Sequence, residues 1–125
     1  MSLCVDVFLR DTNGERRILD VPDGWDDSAG FEVWRTTVWG SEAVRSLGAR
    51  LLPVLADGDL WLEAGEVASL LEEVAVLRTH LELIATRTQH PRGLTEHREQ
   101  LEVRLRIIEA AALRARELGG GIVIW

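Results

Sequence analysis

The sequence predicts an α+β fold in which a small, mainly antiparallel sheet is covered by a hairpin of two long helices. Apolar and polar residues alternate through much of residues 3 to 21, which predicts an N-terminal strand hairpin. From residue 65 to residue 118 apolar residues recur at three- and four-residue steps, which predicts helices. An apolar segment after Gly119 predicts a further strand. Because both helix stripes need an apolar partner, the 125 residues are predicted to form a single domain, 1–125.

The N-terminal hairpin has one apolar face, formed by Leu3, Val5, Val7 and Leu9 and continued by Leu19 and Val21. A three-residue loop over residues 12 to 14, with Gly14 left-handed, would pair Val7 with Leu19 and Val5 with Val21. A two-residue loop would instead pair Val7 with Asp20. We predict the longer loop because it keeps the apolar residues on one face. The same register places Asp6 beside Asp20 on the opposite face, where two carboxylates repel.

Three helices are predicted after the hairpin. A short one in "GSEAVRSLG" has Ser41 as its N-cap and Gly48 as its stop. Two long ones run from about Gly65 to Thr88 and from about Thr95 to Leu118, and "QHPRG" connects them into an antiparallel hairpin. The first long helix has the inner stripe Val67, Leu70, Leu71, Val74, Leu77, Leu81 and Ile84, and the second has Leu101, Leu105, Ile108 and Ala112.

Two short strands complete the predicted sheet. Pro53 interrupts an apolar run and residues 56 to 59 form a turn, after which Leu60 to Leu62 is a short strand. In "GGGIVIW", Gly119 ends the preceding helix, the next glycines form a hinge, and a strand runs from Gly121 to Trp125. Because residues 122 to 124 are apolar on both faces, this strand is predicted to lie inside the sheet with both faces covered.

Five tryptophans stand at positions 25, 34, 39, 61 and 125. Tryptophan is enriched both in cores and at binding hot spots. Trp39 and Trp61 adjoin apolar segments and are predicted to be core residues. Trp25 is surrounded in sequence by acidic residues, and both exposure and burial stay open for it.

Composition restricts the classes of partner. The net charge of −7 argues against binding to phosphate backbones, so no nucleic acid is expected. No apolar run approaches the length of a membrane-spanning helix, and the first residues lack the basic region of a secretory signal. We therefore expect no membrane association and a cytoplasmic location, where the single Cys4 stays a thiol. All 14 basic residues are arginine, a bias typical of a G/C-rich bacterial genome.

No catalytic pattern is present in the sequence. His80, His90 and His97 lack the spacing of a zinc site, and the aspartates of residues 20 to 27 lack the ligand alternation of an EF-hand loop. Neither Ser41 nor Cys4 has a histidine at an informative spacing. The sequence predicts a protein that is not an enzyme and that needs no metal and no cofactor.

The candidate binding residues surround the acidic segment "PDGWDD". Every charged residue from Asp20 to Glu32 is acidic, and the predicted strand register adds Asp6. The alternative for the pair Asp6 and Asp20 is solvation, or neutralisation by an arginine such as Arg17 or Arg35. The predicted partner-binding set is Asp6, Asp20, Asp23, Trp25, Asp26 and Asp27.

In its size, its charge and the segment "PDGWDD", the chain resembles the small acidic immunity proteins that inhibit bacterial toxins. The resemblance implies a basic protein partner whose cationic cleft meets Asp23, Trp25, Asp26 and Asp27. Two other functions stay open, a structural module that self-associates as a homodimer and a carrier of an apolar ligand between helices and sheet. The alternating Arg98, Glu102 and Arg106 are predicted to form a solvated ladder of ion pairs.

Overall fold

The computed structural model describes residues 2–88 and 92–125, and it confirms the α+β class. The strands are β1 (Ser2–Arg10), β2 (Arg16–Ile18), β3 (Ser28–Phe31), β4 (Leu60–Leu62) and β5 (Gly121–Ile124). Within the described residues these five strands form one antiparallel sheet. Strand β5 lies between β1 and β4, while β2 and β3 follow one another along the other edge of β1.

Helices cover one face of the sheet. The α-helices are α1 (Glu42–Ser46), α2 (Val67–Thr79), α3 (Leu81–Arg87) and α4 (Leu94–Leu118), with a π-helix at Arg35–Trp39 and 3-10 turns at Leu52–Ala56 and Ala64–Glu66. The predicted caps are confirmed, since the Ser41 hydroxyl accepts the Val44 amide at 3.2 Å and Gly119 ends α4 at φ +68°. Among the described residues, no helix is long and apolar enough to span a membrane.

The core lies between the helices and the inner face of the sheet. Leu101, Leu105, Ile108 and Ala112 of α4 are all fully buried, as the predicted stripe requires. They belong to one apolar cluster with the inward-facing sheet residues Leu3, Val5, Val7, Leu60, Leu62, Ile122 and Ile124. This packing holds α4 against β1, β3 and β5.

The predicted hairpin register is confirmed at its turn. Phe8 pairs with Ile18 and Arg10 with Arg16, and the Asp11 amide donates to the Glu15 carbonyl at 2.9 Å, which leaves the three-residue loop 12–14 with Gly14 at φ +80°. The Asp11 carboxylate stabilises this loop by accepting the amides of Asn13 and Glu15 at 2.9 and 3.0 Å.

The predicted extension of the hairpin to Val21 is wrong. Strand β2 ends at Ile18, and the last bond of that register runs from the Leu19 amide to the Val7 carbonyl at 2.8 Å. The Val5 amide donates to the Asp27 carbonyl at 2.8 Å, so Val5 and Val21 do not pair and Asp20 does not lie opposite Asp6. The chain leaves the sheet after Leu19 because a further strand, β3, takes the next positions along the edge of β1.

The first predicted long helix is divided in two at His80. Its backbone there has φ −122° and ψ 29°, outside the helical region. The Thr79 hydroxyl donates to the Val76 carbonyl at 2.8 Å, and His80 Nδ1 lies 2.9 Å from the same oxygen. These side chains compete with the backbone for the Val76 carbonyl, which favours a break. The predicted connection at residues 89 to 91 lies outside the described residues.

Tryptophan burial differs from the prediction at one position. Trp39 is fully buried, as predicted, and its indole N–H donates to the Ala29 carbonyl at 3.0 Å. Trp34 is buried beside it, with the two rings 5.6 Å apart. The core prediction for Trp61 is wrong, because Trp61 is half-buried and points away from the helices, between the inward-facing Leu60 and Leu62.

Candidate functional site

The acidic segment forms a loop at the edge of the sheet. We call residues 20 to 27 the acidic loop. If the register of β2 continued, Val21 would lie opposite Val5, but Asp27, six residues further along the chain, holds that position. The loop is therefore an insertion into one composite edge strand made of β2 and β3.

Local hydrogen bonds fix the shape of the acidic loop. The Trp25 amide donates to the Pro22 carbonyl at 3.0 Å, and Gly24 adopts φ +82° within this turn. The Asp26 carboxylate accepts the Ser28 amide at 2.8 Å, immediately before β3. These bonds hold Trp25 and its neighbours in a defined arrangement, which lowers the entropy lost on binding.

The acidic loop is exposed and incompletely neutralised. Asp20, Asp23 and Asp26 are exposed, and Trp25 keeps 49% of its surface in solvent. Asp26 approaches Arg104 of α4 at 3.8 Å. In residues 2–88 and 92–125 no arginine forms an ion pair with Asp20, Asp23 or Asp27. A half-exposed indole therefore lies among carboxylates that a partner's cations could reach.

Trp25 stands where the loop meets the long helix. A cavity of about 20 Å³, room for about one water molecule, is lined there by residues of the loop and by Ile107, Ala111 and Arg114 of α4. The other half of the indole faces solvent.

Asp6 joins the acidic loop by a route that differs from the predicted one. It lies on the face of the sheet that points away from the helices, opposite Val123, and its carboxylate accepts the Trp125 indole N–H at 2.9 Å. Burial raises the pKa of the neighbouring Cys4 thiol, and three nearby carboxylates raise it further, those of Asp27, Asp6 and Asp26. Asp6, Asp26 and Asp27 all line the small cavity beside Trp25, whereas Asp20 does not.

Arg35 does not neutralise the acidic loop. Its guanidinium forms ion pairs with Glu32 at 2.6 Å and with Asp59 at 2.8 Å, and it donates to the Gly58 carbonyl at 2.8 Å. It therefore joins the π-helix to the turn before β4. Within the described chain, Arg17 forms no ion pair with Asp6 or Asp20 either.

Sequence reasoning missed a second surface, the face of the sheet that the helices leave uncovered. We call this the outer face. Trp61 lies 5.6 Å from Phe8 and 5.3 Å from Trp125, ring centre to ring centre. Trp125 is 40% exposed and Ile18 is 37% exposed. The outer-face side chains are Cys4, Asp6, Phe8, Arg10, Arg16, Ile18, Trp61, Glu63, Val123 and Trp125.

An ion cluster lies at one end of the outer face. Arg10 donates to both carboxylate oxygens of Glu63, at 2.8 and 2.9 Å, and Arg16 donates at 2.8 Å. Hydrogen bonds from Arg10 and Arg16 lower the pKa of Glu63 to about 2. The Arg16 guanidinium also lies 4.5 Å from the centre of the Trp61 ring. The alternation of Phe8, Arg10 and Trp61 with inward-facing neighbours is the signal that could have identified this surface.

A groove lies beside α2. It measures about 380 Å³ and lies between that helix and residues 47 to 51, not between the helices and the sheet. The Glu73 carboxylate on its wall accepts the amides of Arg50, Leu51 and Leu52 at 2.7, 3.0 and 2.8 Å. This carboxylate therefore fixes the loop after α1 and is not available to bind a ligand.

The residues that the structure describes bring no three potential metal ligands together. The predicted ladder on α4 is solvated, with Glu102 2.8 Å from Arg106 and 4.0 Å from Arg98.

Comparisons of the chain with protein-family models, with curated proteins and with solved structures found no match.

Proposed function

We propose that this chain is a non-catalytic binding protein that holds a basic protein partner on its acidic loop. The observation that carries the proposal is the half-exposed Trp25, fixed by the turn at Gly24 and flanked along the chain by the exposed Asp20, Asp23 and Asp26. Half-buried tryptophans act as hot spots where a partner excludes water from them. Nearby carboxylates add attraction to cations and discriminate against acidic surfaces.

The partner class that fits best is a bacterial toxin with a cationic cleft, which the chain would inhibit by covering it in the cytoplasm. The net charge of −7 favours encounter with a basic surface over a distance of several ångströms. The loop lies at the sheet edge and Asp23, Trp25 and Asp26 are exposed, so that a partner can reach them. Its own bonds hold it in shape before the partner arrives.

The test is association with the purified product of a toxin gene encoded beside the gene for this chain. A triple variant, Asp23→Asn, Asp26→Asn and Asp27→Asn, should slow association by about tenfold or more at low salt and much less at high salt. The side-chain carbonyl that Asp26→Asn introduces can still accept the Ser28 amide, so the loop keeps its shape. Trp25→Ser should chiefly speed dissociation.

The matched control removes the same charge elsewhere. Asp57, Glu72 and Glu117 are exposed and lie outside the acidic loop, and their amide variants should leave association almost unchanged. Equal slowing by both triple variants would show that net charge alone acts. In that case, or if no neighbouring basic protein is bound, the proposal is wrong.

A further inference from the structure

The middle of the outer face is apolar although no helix covers it. Val123 is fully buried and Phe8 is 1% exposed, yet both lie under side chains of the same face. Trp61, Trp125 and the guanidinium of Arg16 provide that cover, and parts of these side chains stay in solvent. An antiparallel sheet with one wet face ordinarily carries polar side chains there. Exposed aromatic clusters of this kind mark interaction surfaces.

Charges on the outer face are separated along the strands. The end near Cys4 is negative, because the Asp6 carboxylate lies there and accepts the Trp125 indole N–H at 2.9 Å. The other end is positive, because Arg10 and Arg16 share the single carboxylate of Glu63. Cys4 and Arg10 are six residues apart on β1, a distance of about 20 Å along the strand.

We propose that the outer face binds a second copy of this chain. The two-fold axis would lie in the interface, perpendicular to the strands. The two sheets would then face each other with their strands running in opposite directions. That arrangement puts the negative end of one copy over the positive end of the other and stacks the two aromatic centres. It is the aligned, face-to-face packing of two sheets, and it makes the charge pattern complementary to itself.

The size of the face sets the strength of this pairing. With four strand positions about 5 Å apart and a strand length of about 20 Å, the face measures roughly 400 Å² per copy. The total of roughly 800 Å² lies at the small end for specific interfaces. The dimer is therefore weak and in rapid exchange, and charge attraction is a large part of its stability. It should form as concentration rises and dissociate as salt is added.

The first experiment is sedimentation equilibrium of the purified chain over a range of concentration and salt. Trp125→Ser should raise the dimer dissociation constant about tenfold or more, since it removes an aromatic anchor at the centre of the face. Trp25→Ser is the matched control, because Trp25 is exposed to a similar degree but lies on the acidic loop. It should leave dimerisation unchanged.

The second experiment uses opposite charge reversals in separate copies. Arg16→Glu and Asp6→Arg each make the two facing ends alike in charge, so each variant alone should be monomeric. Mixed together they should form a heterodimer, because each reversed residue then faces its opposite. Arg10 still binds both Glu63 oxygens in the Arg16→Glu chain, and a thermal melt of each variant establishes that it is folded.

The proposal is overturned if the wild-type chain stays monomeric at all concentrations at low salt. It is equally overturned if both Trp variants dimerise like the wild type, or if the mixed charge variants do not associate. The measurement uses this chain alone, so its outcome is independent of the proposed basic partner.

Discussion

Glu63 accepts charged hydrogen bonds from Arg10 and Arg16, and its effect on stability should depend on pH in a defined direction. Its pKa is about 2 in the folded protein, below the ordinary value of 4.5. A lowered pKa contributes stability above 4.5, and this contribution disappears as pH falls towards 2. Because the side chain is 40% exposed, water screens the ion pairs and keeps the effect small.

We expect Glu63→Gln to lower the free energy of unfolding by a constant amount above pH 4.5. The difference from wild type should shrink between pH 4.5 and pH 2, as measured by urea unfolding at each pH. Glu117→Gln, at an exposed position with no ion pair in the described chain, is the control and should give a flat difference. A difference that grows at low pH would contradict the assignment.

Gly30 lies directly under the buried Trp34 ring. A Cβ there would come within 2.5 Å of the ring carbon Cε3, and its φ of +117° disfavours any other residue. Gly30→Ala should therefore lower the free energy of unfolding by at least about 2 kcal/mol, measured by urea unfolding. Gly65→Ala is the control, because nothing lies within 4 Å of its Cβ, and it should be neutral or stabilising. Equal effects would contradict the close contact.

The tryptophans show how far the burial of a single residue can be predicted from its neighbours in sequence. Trp39 could be assigned to the core because apolar residues adjoin it in a compact segment. Trp61 has the same kind of neighbours, yet it lies on the outer face because a strand alternates its side chains. Local composition does not distinguish these cases. The alternation of side chains along a strand does distinguish them. However, β4 has only three residues, too few to show from sequence which of them face the core.

At the scale of elements, helix α4 and the N-terminal hairpin turn were predictable, whereas the divided helix was not. Leu94–Leu118 has an unbroken apolar stripe, a clear stop at Gly119 and no competing side chains at its centre. The apolar period of the first long helix also continues through His80. Its break depends on side-chain bonds of Thr79 and His80 to one carbonyl, which periodicity does not report. Strand β3 was missed because Ser28–Phe31 is short and contains a glycine.

The acidic loop is an insertion, so the sheet should tolerate its removal. Leu19 lies opposite Val7 and Asp27 lies opposite Val5. Deleting residues 21 to 26 joins Asp20 to Asp27, so that Leu19 and Asp27 are separated by one residue, as Val7 and Val5 are. The shortened segment can therefore pair with β1 as one continuous strand. We expect the shortened chain to keep its far-ultraviolet circular dichroism and to lose no more than about 2 kcal/mol of stability, because a shorter loop costs less closure entropy. It should lose binding of the basic partner.

Wild type and the deletion variant are compared by urea unfolding with the same probe. An unfolded deletion variant would show that the loop is required by the sheet. Retained partner binding would contradict the proposed role of Trp25 and its neighbouring carboxylates instead.

The whole molecule depends on a pairing between distant parts of the chain. Val5 pairs with Ile124, and β4 joins the far side of β5. The apolar character of residues 122 to 124 predicted a strand inside the sheet, and this is correct. The order of strands could not be derived, because hydrophobic alternation shows which residues face the core but not which strand lies beside which.

This topology predicts how stability is distributed over the molecule. Residues 121 to 124 are buried on both faces between two strands, and α4 packs over them. Their amides should exchange with deuterium only on global unfolding. All three residues of β2 are exposed, and β2 pairs only with the end of β1, so its amides should exchange through local fraying.

Hydrogen–deuterium exchange resolved by residue measures this difference, and the β5 amides should be slower by several orders of magnitude. In the same way, amides of the acidic loop should exchange fast and amides at the centre of α4 should exchange slowly. Because β5 contacts β1 across nearly the full length of the chain, its protection should appear late in refolding. If β2 is protected as strongly as β5, the hairpin and the central strands unfold as one unit, and the acidic loop is then attached to a far more rigid edge than its exposure indicates.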